Sequence, residues 1–459
     1  MARTCIICQQ AAGSGEHVFP ASFGGRRTNN GIYCEKHNNA FGRHVSALLS
    51  GVDIVNALIG VVPDRKDEVR PAPATSADGE QFLVAGGKVT LAPPPSLDQR
   101  PELLGKQLQI GFANEAQARK WIAEQERAGY KVATGAFSAP QTKIFGEALH
   151  ARRCLGDEDF MRGLLYLALT FVAHTDPELA RSEGLTEVRT IVEKDGAVEG
   201  RALWEPPSTL TQISANPFAH GHTVVTGPDA SCKRLVALIS LYGAIHFGID
   251  LGDLAEGNVP ERVTTHIDPL APRPPQDVQV TRERVALTLS TLKESTAYLS
   301  QLRAGEVDPL SDVLHDASVR ELLEASRATL KELQKISSLP VDEQISKVLA
   351  LLSVHDQRIF NWMRTGFLGY SESEPKIPEA VRFALQTFVS LDNSAPKGLT
   401  QESESALEVA RALLTDQIIA ALKQGILDEK KLASLIGGGD GLGIVLHFFV
   451  QLILNQRPR

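Results

Sequence analysis

Two short pairs of metal-binding side chains stand near the N-terminus, Cys5-x-x-Cys8 and Cys34-x-x-His37. Three thiolates and one imidazole complete a tetrahedral shell and leave no position open for chemistry, so the ion they predict is a structural Zn²⁺. For so short a segment metal binding would supply most of the folding free energy, roughly 10–16 kcal/mol in zinc-finger peptides. A redox role for Cys5-x-x-Cys8 needs a β-α-β setting that the segment lacks, and it leaves Cys34 and His37 without a purpose. Five cysteines, unevenly placed, make no disulfide framework. Cys154 and Cys232 stand alone in apolar surroundings and are expected in the core.

A structural zinc has no use for the polar residues between and just after its ligands: Glu16, His17, Arg26, Arg27, Asn29, Asn30, Lys36, Asn38 and Asn39, with the Gly24-Gly25 pair among them. In this order residues 5–44 resemble the ββα-metal finger of HNH endonucleases, in the branch written CxxC, EH(I/V)xP, GG, CxxC, NNxFG. The resemblance covers roughly a tenth of the chain.

The resemblance implies a role for each matching position. His17 falls on the general base that takes a proton from the attacking water, a task suited to a group titrating near neutrality. Glu16 and Asn38 fall on the oxygen ligands of a catalytic divalent ion, Mg²⁺ or Mn²⁺. Asn30, or its neighbour Asn29, falls on the middle asparagine that orients the histidine or its loop. Arg26 and Arg27, with Lys36 nearby, are candidates to grip phosphate, or are ordinary solvated charges. The implied reaction is phosphodiester hydrolysis in nucleic acid, DNA foremost, with restriction or defence against foreign DNA as a setting. Two positions depart from the pattern: His37 replaces the family's fourth cysteine, an exchange zinc accepts, and Ser46 stands where relatives carry an aspartate. His44 could join the site, although a surface position on the following helix is the expectation.

A blander account stays open. Asn38 would cap a helix, Glu16 would be solvated, and His17 would bond inside a zinc ribbon that only binds nucleic acid or protein. The two accounts differ on whether Glu16, His17 and Asn38 converge on one pocket.

The net charge of −8 fits a nucleic-acid binder only when divided along the chain. Residues 1–45 carry five basic groups against two acidic ones, leaving −11 for the rest. That surplus cannot alone give tight binding to a phosphate backbone, so other surfaces or a second subunit must contribute. No apolar run reaches eighteen residues and the opening MARTCIICQQ lacks a secretory core, which predicts a cytoplasmic chain with no membrane contact.

The expected fold class is α+β and multidomain: a zinc-stabilised ββα finger at 1–55, a mixed α/β region at 80–268, and an all-α region at 277–459 that regulates, targets or forms a homodimer. The proline-dense stretch 269–276 is the linker candidate. In the middle region, a hairpin turns at Gly86-Gly87, and Leu108 to Phe112, a helix capped by Asn114, and 130–134 read as β-α-β. A buried helix spans 158–173, HTVVT is a strand, and 235–251 is two buried strands or a helix. His220-x-His222 is a faint metal candidate without a third ligand. In the last region Val285, Leu289, Leu292 and Leu299 form one helical stripe, Val319 to Leu333 a second, and Thr400 to Gly425 bracket a third helix. Gly437 to Gly441 breaks a helix rather than cradling phosphate.

Overall fold

The computed structural model describes residues 3–455 apart from 9, 78, 101–103, 107–109, 134–143, 146–147, 199, 258, 272–279, 374–376 and 393–398. It divides into two compact units, one made of 1–74, 82–90 and 151–317, the other of 75–81, 91–150 and 318–459. The boundaries after Ala74 and Thr90 fall close to Pro73 and Pro93. Most of the linker candidate, at 272–276, lies outside the described residues.

The first unit opens on an antiparallel hairpin, β1 (Ser14–His17) and β2 (Thr28–Tyr33), with Glu16 opposite Asn29 and His17 opposite Thr28. The connection makes a 3-10 turn at Ala21–Phe23 that Gly24 closes with φ 83°. Gly25 follows where a Cβ would stand 1.9 Å from the Phe19 carbonyl oxygen. The glycine pair is thus required twice, once for a left-handed φ and once for a close backbone approach.

Helix α1 (Glu35–Ile59) starts with Cys34 as its N-cap, earlier than a helix opening at Asn38, so Asn38 does not cap it. Its apolar stripe buries Phe41, Leu48 and Leu49. His44, expected at the surface, is buried instead and bonds the Val192 carbonyl at 2.9 Å. A meander of β3 (Ala72–Thr75), β4 (Gln81–Ala85) and β5 (Lys88–Leu91) follows, turning between its last two strands at Gly86 and Gly87.

Helix α2 (Glu115–Arg127), in the second unit, is capped by Asn114, whose side chain accepts from Gln117 N–H. The β-α-β expectation fails around it, because 110–112 and 130–133 form no strand; Leu108 and Thr134 lie outside the described residues. A half-exposed alternating run needs a partner strand, and neither stretch has one among the described residues.

Returning to the first unit, α3 (Glu158–Thr175) is apolar around most of its circumference and is buried along nearly its whole length. After α4 (Pro177–Arg181) and α5 (Thr186–Lys194) come β6 (Ala202–Glu205), β7 (His222–Pro228), β8 (Arg234–Leu241), β9 (Ile245–Asp253), β10 (Arg262–Ile267) and β11 (Val280–Glu283). These six strands form one antiparallel sheet in the order β11-β10-β7-β8-β9-β6. The β-branched run 235–251 resolves as two strands, β8 and β9, as its composition favours. One face of the sheet presents Val224, Ala237, Ile239, Phe247 and Ile249 to a core shared with α3 and with Ile32, Tyr33 and Phe41 of the finger. The other face is covered by Leu287 and Leu289.

The stripe from Val285 to Leu299 is therefore only half helical. A capping box at Thr291 and Glu294 starts α6 (Leu292–Ala304), and the upstream leucines pack on the sheet. Cys154 and Cys232 are also corrected, since both are exposed. Cys232 sits at a turn with φ 56°, where the loop after Asp229 reverses.

The unit boundary falls within α7 (Ser311–Ile336). The second unit continues with α8 (Val341–Ser353), α9 (Asp356–Ser373), α10 (Glu379–Thr387), α11 (Gln401–Lys423), α12 (Glu429–Ile436) and α13 (Asp440–Asn455). Their core is built on Leu333, Leu352, Phe360, Phe367, Leu414 and Phe449. Thr400 caps α11 and a left-handed Gly425 follows it, as expected. The chain has mixed α and β content, a helical C-terminal region and a Cys/His cluster at its N-terminus. Among the described residues no single helix is long and apolar enough to cross a membrane; α12 and α13 reach that length only together, across a 42° bend at the glycine run.

Candidate metal centre and the polar residues around it

Cys5, Cys8, Cys34 and His37 come together with their ligand atoms all within 4.8 Å of one another. Cys8 and Cys34 sulfurs are 3.8 Å apart, and His37 Nδ1 lies 3.5, 3.5 and 3.2 Å from the sulfurs of Cys5, Cys8 and Cys34. A tetrahedral ion with Zn–S near 2.3 Å and Zn–N near 2.0 Å would set its ligand atoms roughly 3.5–3.8 Å apart, so the four fit zinc closely. The helix explains half of this: Cys34 at the N-cap and His37 in the first turn of α1 face the same side. The other ring nitrogen, His37 Nε2, lies 3.4 Å from Glu193 Oε1 on α5. A carboxylate there fixes the ring orientation and raises the basicity of the liganding nitrogen. No spacing in the sequence announces Glu193, which comes from more than a hundred residues away.

The polar residues around this quartet take separate partners. Successive strand residues point to opposite faces, so Glu16 and His17 diverge. Glu16 turns inward, 8% exposed, and accepts a 2.6 Å hydrogen bond from the Tyr166 hydroxyl of α3. Burial pushes its carboxyl up to about 7, against the opposing hydrogen bonds from Tyr166 and from the His17 backbone. Tyr166 stacks on Tyr33, whose hydroxyl meets Thr170 at 2.9 Å, so Glu16 ends in an aromatic, largely dry layer.

His17 lies on the other side, with Nε2 3.2 Å from Asp64 Oδ2 just beyond α1. Burial raises the Asp64 carboxyl, but the His17 hydrogen bond and the charges of His17 and Arg26 outweigh it and hold it below the ordinary carboxylate value. Arg26 is drawn into the same cluster, its guanidinium 3.7 Å from Asp64 and donating to the Val62 carbonyl at 2.9 Å. Since its side chain is only 8% exposed, Arg26 is a poor surface grip for phosphate. Lys36 is exposed on the first turn of α1.

Asn38 donates from Nδ2 to Ser14 Oγ at 2.8 Å, while its buried Oδ1 has no hydrogen-bond partner among the described residues. A buried orphan oxygen is costly unless an ion or water satisfies it. Asn29 bridges two elements: its Oδ1 accepts from Gly31 N–H and its Nδ2 donates to His174 Nδ1 at 2.9 Å. Asn30 is exposed beside Gly15. Neither asparagine bonds His17 among the described residues. His222 of the faint metal pair is fully buried against Phe19, Phe23 and Tyr242, and burial pushes its imidazole down to about 3.

A pocket beside the hairpin is lined by Phe19, Arg27, Phe171, His174, Thr265 and Val280, among others, but not by Glu16, His17 or Asn38. For an oxygen-held divalent ion the fit is partial: Asn38 offers a buried oxygen without a hydrogen bond among the described residues, whereas Glu16 is engaged by Tyr166. Asp64, Tyr166 and Glu193 are the contributors that sequence reasoning missed, and only the folded chain could reveal them. Comparison with family models, with curated proteins and with solved structures gave no match.

Proposed function

We propose that this chain is a metal-dependent phosphodiester hydrolase of the HNH type, acting on nucleic acid, with a structural zinc shaping its finger. The observation that carries the reading is the His17–Asp64 pair. A carboxylate accepting from one ring nitrogen fixes the imidazole's orientation and stabilises its protonated form, which leaves Nδ1 to take a proton from water. The zinc quartet supports the same reading, because it anchors both ends of the hairpin that carries His17.

A divalent ion, Mg²⁺ or Mn²⁺, would supply charge at the leaving oxygen. Asn38 Oδ1 and the Glu16 carboxylate are its candidate ligands, and Glu16 would have to give up its proton and its bond from Tyr166 to serve. Asn29 and Asn30 act on the loop rather than on the imidazole in this reading.

The test is plasmid cleavage by the purified full chain with Mg²⁺ or Mn²⁺, beside His17→Ala and Asp64→Asn. We expect His17→Ala to abolish cutting and Asp64→Asn to slow it on the order of 10²-fold or more, with zinc content unchanged. Wild-type protein that fails with every divalent ion would remove the enzyme reading.

One observation favours a second reading, a zinc module that binds without cutting. Glu16 turns away from His17 into an aromatic layer that pushes its carboxyl up to about 7, as a structural residue would. In that case His17→Ala would leave nucleic-acid binding intact and no variant would show cleavage. Double-strand cutting by the enzyme would call for a homodimer, for which the C-terminal helices remain the candidate surface.

A further inference from the structure

Ion pairing separates the arginines of the first unit into two kinds. Arg43, Arg153, Arg162, Arg201, Arg234 and Arg262 each meet a carboxylate. Several others, Arg189 and Arg303 included, meet none among the described residues, and of these Arg3, Arg27, Arg181 and Arg282 lie around the C-terminal end of α3.

Close approaches tie them to that place. Arg3 lies along β2, where a Cβ on Gly31 would come within 2.6 Å of its side chain. Gly31 N–H donates to the side chain of Asn29, which reaches His174. The charges of Arg27 and Arg3 both act on the His174 imidazole, which burial first and these charges second push down to about 4. Arg282, on edge strand β11, donates to the carbonyl of the next residue, Thr175, at 2.9 Å. Arg181 donates to the carbonyls of Thr4 and Pro177, which holds its guanidinium at the backbone of the residue after Arg3. The neighbouring acids are otherwise engaged or solvated: Asp176 caps α4, Glu283 pairs with Arg262, and Glu178 is exposed.

In a chain of net charge −8, four guanidinium groups without a carboxylate partner gathered in one region are a cost unless an anion meets them. We propose that Arg3, Arg27, Arg181 and Arg282 form a track for the phosphodiester backbone of a nucleic acid, running from the finger onto the edge of the six-stranded sheet. Two guanidinium groups acting on one imidazole, with two more bonded to backbone carbonyls close after it and carried by separate segments of the chain, suit a row of phosphates better than a single small anion. The finger end of the track is Arg27, immediately before β2, whose carbonyl accepts from Val18 N–H beside the His17–Thr28 pair. It rests on the hydrolase reading for its substrate and deepens that reading by naming where the substrate lies. It also replaces Arg26 and Lys36, one turned inward and one on α1, as the main phosphate grips.

The test measures binding of a fluorescent DNA duplex to the full zinc-loaded chain carrying His17→Ala, without other divalent ions, across a salt series. Adding Arg3→Ala, Arg27→Ala and Arg282→Ala should weaken binding at least 30-fold at low salt. It should flatten the log–log salt slope by about 2 to 3, since each phosphate left without its arginine removes about 0.9. Lys331→Ala, Lys347→Ala and Lys423→Ala, in the second unit and equal in charge change, should leave binding within about twofold of the parent. Equal losses in both triples, an unchanged slope in the arginine triple, or no binding by the parent would each overturn the track. The outcome is separable from cleavage: a parent that binds through the arginines while the wild type never cuts keeps the track and removes the enzyme.

Discussion

His37 faces two ways, with Nδ1 3.2 Å from the Cys34 sulfur and Nε2 3.4 Å from Glu193 Oε1. The one histidine of the quartet is thus the side chain with a second ring nitrogen to offer a carboxylate outside the finger, which a thiolate lacks. A histidine at this position ties the quartet to α5.

That coupling predicts the effect of removing the grip. Glu193→Ala should lower zinc affinity about 10- to 100-fold, as loss of an outer carboxylate does elsewhere. Competition with a chromophoric chelator measures it, and an unchanged affinity would show the 3.4 Å approach to be incidental.

Glu16 gives a pH signature. Its carboxyl binds a proton more tightly in the folded chain, at about 7, than in the unfolded chain near 4.5. The group therefore favours folding fully below pH 4.5, and that contribution is lost as pH rises toward 7. The loss is about 3 kcal/mol for a shift of this size. Glu16→Gln, which keeps a bond to Tyr166, should gain that much over the wild type at pH 8 and little at pH 4, measured by urea unfolding with zinc but no other divalent ion. Adding Mn²⁺ then separates the functional readings: if Glu16 is an ion ligand, the wild type alone gains stability.

The five cysteines should divide by reactivity. Cys154 and Cys232 are exposed, while Cys5, Cys8 and Cys34 face one another and His37. A thiol reagent should titrate two groups quickly in the zinc-loaded protein and all five after chelation. Three or more fast thiols in the loaded protein would contradict the quartet.

The glycine pair should resist substitution. Gly25→Ala forces a Cβ against the Phe19 carbonyl, and the cost should reach about 2 kcal/mol or more in unfolding experiments, as backbone clashes of this kind do. Gly13→Ala, which meets nothing within 4 Å, is the control and should cost under about 1 kcal/mol.

What could be read in the sequence was local. Ligand spacing gave the quartet, the Gly-Gly pair gave a turn, Asn114 and Thr400 gave helix starts, and the apolar run at 158–173 gave a buried helix. What could not be read depended on meetings between distant segments. Glu16 was a fit for an ion until Tyr166, 150 residues on, met its carboxyl. His44 sat on the polar side of α1 by pattern, yet α5 covers it. Leu289 matched a helical stripe, but a capping box two residues later started the helix and released it to the sheet. Conversely Cys154 and Cys232, apolar by neighbourhood, came to the surface. Whether Glu16, His17 and Asn38 converge was also a three-dimensional question, and their side chains here bond Tyr166, Asp64 and Ser14 in turn.

The rings of Tyr33 and Phe41 touch Tyr166, so the inner wall of the finger is also the outer wall of the layer packed on the sheet. Such a finger cannot be traded between proteins as a cassette. Grafted onto another host, it would bring its zinc ligands intact but leave an aromatic wall in water and a carboxyl without its phenol. Any history that exchanged the regions after it would have had to carry α3 along.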